Sequence, residues 1–340
     1  MRLLVRLIFL LVVFALLAVG GGLAWFSSWR AERVVRLNSA SSIAETSAGN
    51  VEFLQEGEGP AVLVFHGAPG GYDQAMLLGG SLAEQGYQII APSRPGYLRT
   101  PLASGLMPEK QADAMAALLD TLGIDHVAVM GVSLGAPAAI EFCRRYPDRA
   151  WALVLISAVT KKNPSGLSAP PFPQLLNERL TGDIGSWFLV HTADADPSKA
   201  LGWCFDLVQS GDAASRMKWI QSVLGNAGQL AWFRDLAGTV APIGPRESGL
   251  KNDLLQLKAL PDFPFDKLLL PTLLVHGADD SFVPLSEIEA VKTRLPNAEL
   301  LLMPGTGHIP ELGPESAPLP DKIREFLARS HDGKRSGDGE

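Results

Sequence analysis

The feature that most constrains this chain is a five-residue turn, Gly131-Val132-Ser133-Leu134-Gly135, set between two segments of opposite character. Before it, His126-Val127-Ala128-Val129-Met130 is a short β-prone run. After it, Leu134 to Tyr146 is rich in Ala, with few breakers until Pro147. A strand that becomes a helix within a few residues needs a sharp turn and very small neighbours. Gly131 and Gly135 supply that smallness, because no Cβ obstructs the approach of strand and helix. The Ser133 hydroxyl is expected to project from the sheet above the positive end of the helix. Pro137 falls in or just after the first helical turn, where a missing N–H costs least. G-x-S-x-G recurs by chance in many sequences; its strand-and-helix setting marks Ser133 as a nucleophile.

A serine hydroxyl is a weak nucleophile at its free pKa and needs an adjacent base. Of six histidines, His308 has the best setting, in a Gly-Thr-Gly loop after the strand-like Ala298 to Met303. His66 and His276 stand at strand ends before Gly, where structural hydrogen bonding is the usual role. His126 and His191 carry no motif, and His331 lies in a polar tail. The imidazole in turn needs a carboxylate to orient it and to stabilise its charged form. Leu269 to Val275 reads as a buried strand, with Asp279 and Asp280 in its exit loop. A G-x-x-D-x-x-V-P spacing favours Asp280, with Asp279 the alternative. The end of the preceding strand, Ala152 to Ser157, offers no carboxylate. Donors for a developing oxyanion are expected from the Leu134 N–H and, in the loop after the apolar run 61–65, from the Ala68 N–H.

These motifs stand in one order: HGAPGG at 66–71, SRPGYLRT at 93–100, GVSLGA at 131–136, then HGADDSFVP and GTGH downstream. In that order the chain resembles the α/β-hydrolase superfamily, in its branch with a helical cap, from about Asn50 to Arg329. The resemblance implies a mostly parallel, doubly wound sheet with an inserted helical cap. It also implies a Ser133-Asp280-His308 triad and an Ala68/Leu134 oxyanion pair. One departure is visible. The residue before the Arg94-Pro95-Gly96 turn is usually Asp in this family and is Ser93 here, which puts the geometry of that loop in question. HGAPGG is similar to the HGGPG of proline iminopeptidases, but the elbow differs from their G-G-S-W-G. A nucleophilic serine argues against haloalkane dehalogenases and epoxide hydrolases, which use Asp. Carbon–carbon bond hydrolases and cofactor-free perhydrolases stay open.

The N-terminus adds a second expectation. Leu7 to Phe26 runs for 20 residues without a charge, between Arg2 and Arg6 on one side and Arg30, Arg33 and Arg36 on the other. About 20 apolar residues span a bilayer as a helix. A retained transmembrane anchor is expected over residues 1–28, a cleaved signal segment being the alternative. Basic flanks on both sides give only a slight lean toward a catalytic domain on the outer face. The expected organisation is a polar linker at 29–49, hydrolase core at 50–158, a helical cap insertion at 159–266, core again at 267–329, and a disordered tail at 330–340. The cap follows from the interval of more than a hundred residues between sheet strands. Four tryptophans lie in it, Trp187, Trp203, Trp219 and Trp232, and packing of cap helices is their leading role over lining a pocket.

A chain of 340 residues with 47% hydrophobic and 19% charged residues can build a sizeable core. A net charge of −7 offers no footprint for nucleic acid. No metal constellation and no dinucleotide fingerprint is present, so no cofactor is expected. Cys143 and Cys204 fit neither a zinc spacing nor a disulfide framework, though one bridge stays open. The sequence therefore reads as a membrane-anchored serine hydrolase for a small or hydrophobic ester. Amide cleavage is the second enzyme class, with Glu178 and Asp183 as cap carboxylates that could hold an amino terminus. A binding module on the same fold is the third reading.

Overall fold

The computed structural model describes residues 2–162 and 182–337. Chain contacts divide it into two units, Met1–Ala40 and Ser41–Glu340. The Pro-rich stretch at 170–173 and Glu178 lie outside the described residues.

The first unit is a single helix, α1 (Arg2–Ser39), 38 residues long. Among the described residues it is the helix long and apolar enough to cross a membrane. At 1.5 Å per residue it spans about 57 Å, and its uncharged stretch about 30 Å, the thickness of a bilayer's hydrocarbon core. The linker expected at 29–49 is ordered secondary structure instead. Residues up to Ser39 continue the helix, because Arg30, Ala31, Glu32 and Arg33 are good helix formers with nothing to break them. The remainder forms β1 (Ser42–Thr46) and the start of β2 (Gly49–Glu56), an antiparallel hairpin closed at Thr46–Gly49. Gly49 takes a φ of 107°, which this tight turn requires.

The second unit is built on an eight-stranded sheet in the order β1-β2-β4-β3-β5-β6-β7-β8. The further strands are β3 (Ala61–Phe65), β4 (Gln88–Pro92), β5 (Val127–Val132), β6 (Ala150–Ile156), β7 (Thr272–Gly277) and β8 (Ala298–Met303). β2 runs antiparallel to β4, and every pairing from β4 to β8 is parallel. The central strands are buried on both faces, as parallel strands covered by helices must be. Their side chains alternate between two cores. Leu63, Phe65 and Val129 face one, with the helices α3 (Pro108–Leu122) and α4 (Ala136–Arg145). Val62, Val64 and Met130 face the other, with α2 (Tyr72–Ala83) and the C-terminal helix. The chain goes from β3 out to β4 and returns across β3 to β5. That reversal opens a crevice at the carboxyl ends of β3 and β5, where open α/β sheets bind ligands.

Between β6 and β7 the described chain is helical: α5 (Asp183–Ala195), α6 (Pro197–Val208), α7 (Ala213–Leu224), α8 (Ala227–Thr239) and α9 (Glu247–Leu257). Three of these helices start on side-chain caps. Asp196, Asp212 and Asn226 accept the amides of Lys199, Ser215 and Gln229. Leu201, Phe205, Trp219, Val223 and Phe233 form a core of their own. Trp187 and Trp219 are buried in packing, and Trp203 stands exposed beneath the Lys199 ammonium. After β7 come α10 (Leu285–Arg294), β8 and α11 (Leu319–Gly337). Residues 330–337 of the tail expected to be disordered extend this last helix, which is moored by Ile323, Phe326 and Leu327. Both cysteines are free thiols, and burial pushes Cys204 up to about 12.

Candidate active site

At the end of β5 the chain turns directly into a 3-10 turn and then α4. Ser133 sits on that turn with φ +50°, a left-handed conformation that a non-glycine residue holds only where its surroundings enforce it. The enforcement is steric. A Cβ on Gly131 would lie 2.6 Å from Ala139 Cβ, and one on Gly135 would collide with the carbonyls of Phe65 and His66. Both glycines of the motif are therefore required by the approach of β3 and α4 to the elbow.

The structure brings Ser133, Asp280 and His308 together. His308 Nε2 lies 2.8 Å from Ser133 Oγ, and its Nδ1 lies 2.8 Å from Asp280 Oδ2. With Nδ1–H donating to the carboxylate, Nε2 is left as the acceptor facing the serine hydroxyl. Asp280 is buried, and its Oδ1 accepts the amides of Phe282 at 2.7 Å and Val283 at 3.0 Å. Those two bonds fix the carboxylate so that Oδ2 faces the imidazole. Among the described residues Asp279 makes its hydrogen bonds through its main chain, its N–H donating to Thr306 O and its carbonyl accepting from the Ser210 N–H. The Phe282 ring, 4.8 Å from the His308 ring, walls the imidazole on one side.

His66 and His276 are frame residues. His66 Nδ1–H donates to Gly67 O at 2.6 Å, and Nε2 accepts the Arg94 amide at 3.0 Å. Burial, reinforced by Arg94, holds its pKa well below the usual histidine value, so this ring stays neutral. His276 donates from Nε2 to Val283 O at 2.9 Å, tying the end of β7 to the acid loop, and burial lowers its pKa as well. Ala68 lies in the loop leaving β3, and Leu134 follows Ser133 in the first turn of the helix, where main-chain amides have no intrahelical partner. The Gly67 position faces Ser133, since a Cβ there would fall 3.4 Å from Ser133 Cβ.

Ser93 resolves the one irregular motif. Its Oγ donates to Glu52 Oε2 at 2.9 Å and accepts the Tyr72 amide at 3.0 Å. Glu52, fully buried on β2, also accepts from Arg99 Nε at 2.6 Å and from the Arg99 amide. The loop thus keeps a carboxylate brace, supplied from a neighbouring strand rather than from position 93. Sequence reasoning missed this residue because nothing local distinguishes Glu52 from a solvent-facing strand residue.

It also missed the contacts that the cap makes with the loops carrying Asp280 and His308. The end of α6 passes between the acid loop and the histidine loop. The Val208 carbonyl accepts from the His308 N–H at 2.9 Å, Ser281 Oγ donates to Leu207 O at 2.9 Å, and Gln209 Nε2 donates to Gly305 O at 3.0 Å. Of the two carboxylates considered for amine binding, Asp183 accepts the Gly244 amide within the cap. Desolvation pushes Glu311, in the turn after His308, up to about 7, and the imidazole pulls it the other way. That carboxyl carries no sequence signature.

Residues 60–312 match the family model described as alpha/beta hydrolase fold. The chain belongs to that family. It is similar to a pimeloyl-[acyl-carrier protein] methyl ester esterase of Aromatoleum aromaticum, 31% identical over 67% of this chain and 82% of the relative. It is also similar to a 2-hydroxy-6-oxo-6-phenylhexa-2,4-dienoate hydrolase of Burkholderia cepacia, 27% identical over 74% of this chain and 82% of that protein. Among solved structures, an alpha/beta hydrolase fold protein from Nakamurella multipartita matches with a TM-score of 0.77 and 28% identity, over 86% of this chain and 99% of that one.

Proposed function

We propose that this α/β hydrolase is a serine esterase, held at a membrane by α1, that cleaves a small or hydrophobic carboxylic ester through an acyl-enzyme. The observation that carries the reading is the continuous hydrogen-bonded line from Asp280 through His308 to Ser133 at the open end of the sheet. In the first step His308 Nε2 takes the Ser133 proton as Oγ attacks the acyl carbon, and the Leu134 and Ala68 N–H groups receive the oxyanion. His308 then gives that proton to the departing alkoxide. In the second step His308 takes a proton from water, hydroxide adds to the acyl carbon, and collapse returns the proton to Ser133 as the acid leaves. Asp280 stabilises the imidazolium formed in each step. Support for the ester comes from the methyl ester esterase relative, and support for the anchor from the length and apolar surface of α1.

A second reading is hydrolysis of a carbon–carbon bond next to a ketone, which the relative acting on a phenylhexadienoate favours. The two separate on substrates. The full-length protein in detergent is given p-nitrophenyl esters of graded chain length and, in parallel, the phenylhexadienoate ring-cleavage product. The ester reading expects turnover of the esters, lost in Ser133→Ala, at a kcat/KM well above that for the dienoate. Preference for the dienoate would move the assignment to carbon–carbon cleavage.

A further inference from the structure

Two buried arginines grip opposite ends of the loop that carries Ala68. Arg94, 1% exposed, donates from Nε to His66 O at 2.9 Å and from its amide to the His66 ring. Its guanidinium then pairs with Asp253 of α9, at 3.0 Å for Nη1–Oδ1 and 2.5 Å for Nη2–Oδ2. Tyr97 also donates to that carboxylate, and Gln111 accepts from Arg94 Nη1 at 3.1 Å. At the other end Arg246, on the cap just before α9 and fully buried, donates from Nη1 to Gly70 O at 2.8 Å. The same guanidinium makes a fork with Asp73 of α2, at 3.0 and 2.7 Å.

The two pairs are reciprocal across the seam. The core sends Arg94 to a cap carboxylate, and the cap sends Arg246 to a core carboxylate. Both also touch main-chain carbonyls of residues 66–70, on either side of Ala68. The loop has little slack between them, since a Cβ on Gly70 would fall 2.5 Å from His66 Nδ1 and 2.6 Å from Gln74 Oε1. Gly71 leaves the room that the guanidinium occupies, because a Cβ there would lie 2.8 Å from Arg246 Nη1. Buried ion pairs are poor sources of net stability, because desolvation offsets most of the attraction. Forked pairs between rigid groups are good at fixing geometry.

We infer that Arg246 is a positioning residue for the oxyanion hole: the cap, through the Arg246–Gly70–Asp73 contact, sets where the Ala68 N–H points. The inference rests on the serine-hydrolase reading for its catalytic consequence, whereas the tether itself is independent of it. Seating of the cap then governs transition-state binding, and ground-state substrate affinity is largely separate.

The test uses the full-length protein, with Arg246→Ala and Arg246→Lys variants, and Arg216→Ala as a cap control whose ion pair with Asp206 is exposed and lies within the cap. Hydrogen exchange of peptides covering 66–73 reads the tether without any activity. Kinetics on the best ester and affinity for an alkyl boronic acid, which forms an anionic adduct on the serine, read the catalytic consequence. Arg246→Ala is expected to speed exchange in 66–73 at least tenfold and to leave peptides of α11 unchanged. It should lower kcat by about 10- to 100-fold, the cost of a misplaced catalytic group, with KM within about threefold and boronate affinity falling in parallel. Guanidinium in the buffer should restore part of the loss.

Unchanged exchange in 66–73 would overturn the tether. Faster exchange with kcat unchanged, or a rise in KM alone, would overturn the positioning role. If the cap of Arg246→Ala fails to fold, Arg246→Lys decides. It keeps a donor for Gly70 and loses the fork, so intermediate values support the inference and wild-type values refute it. A wild-type protein that hydrolyses no ester and binds no boronate would sink the esterase reading, with the exchange result still deciding the tether.

Discussion

The two loops that meet at Ser133 are held in different ways. The elbow at 131–135 is fixed by its own residues and their immediate packing: small glycines, a strand on one side and a helix on the other. The loop at 66–71 is fixed from far away in sequence, by Arg94 from the next strand's exit and by Arg246, 176 positions beyond Gly70. The acid and histidine loops share this second mode, since the cap's Val208 carbonyl holds the His308 amide. The 131–135 turn is thus a local device that can be read from five residues, whereas the loops beside it are held by contacts from the cap.

The largest effect expected from breaking this arrangement is at the acid. Asp280→Asn should keep the fold and lower kcat by about 10⁴, as loss of the orienting carboxylate does in serine triads. Asp279→Asn should stay within about threefold, because Asp279 makes its described hydrogen bonds through its main chain. Steady-state kinetics on one ester separates them, and the reverse ranking would move the acid by one position.

Next in size is a test of the elbow's local character. Gly135→Ala forces a Cβ against the carbonyls of Phe65 and His66 and should cost about 1–3 kcal/mol in denaturant unfolding, with activity lost. An active variant of wild-type stability would show that the turn tolerates what its packing forbids. Gly80→Ala is the contrast, on the exposed side of α2 with nothing within 4 Å of the added Cβ. It should stabilise the protein by about 0.5–1 kcal/mol.

The frame histidines give a pH signature. His66 and His276 both have pKa values lowered from 6.5 by burial, so below about pH 6.5 the unfolded chain takes up protons that the folded protein refuses. Stability is present above that pH and falls as pH drops, by up to about 1.4 kcal/mol per pH unit for each histidine. Urea unfolding at pH 5.0, 6.0 and 7.5 measures the slope, and His276→Gln should reduce it. A flat profile from 7.5 to 5.0 would contradict the neutral, buried rings.

Legibility followed the same divide. β3, β5 and β7 announce themselves as apolar runs ended by glycine, and the structure places them within a few residues of the expected bounds. Ser133, Asp280 and His308, which the structure brings together, each follow a predicted strand closely in sequence. Glu52, Arg94, Arg246 and Asp253 were not legible, because a buried charge and an exposed one look alike until their partners are known. The connector and tail were misread for a related reason. Charged, polar segments such as 29–39 and 330–337 also suit helices that continue from an apolar stretch. Position 93 shows the opposite error: an absent carboxylate was replaced in space, by Glu52, and not in sequence.

The measurement that bears most directly on the account is reaction of the full-length protein with a fluorophosphonate, followed by mapping of the modified peptide. One adduct is expected, on Ser133, with the rate of labelling collapsing in His308→Ala while that variant's melting temperature stays within a few degrees. No adduct on folded protein, or an adduct on another serine that His308→Ala leaves intact, would contradict it.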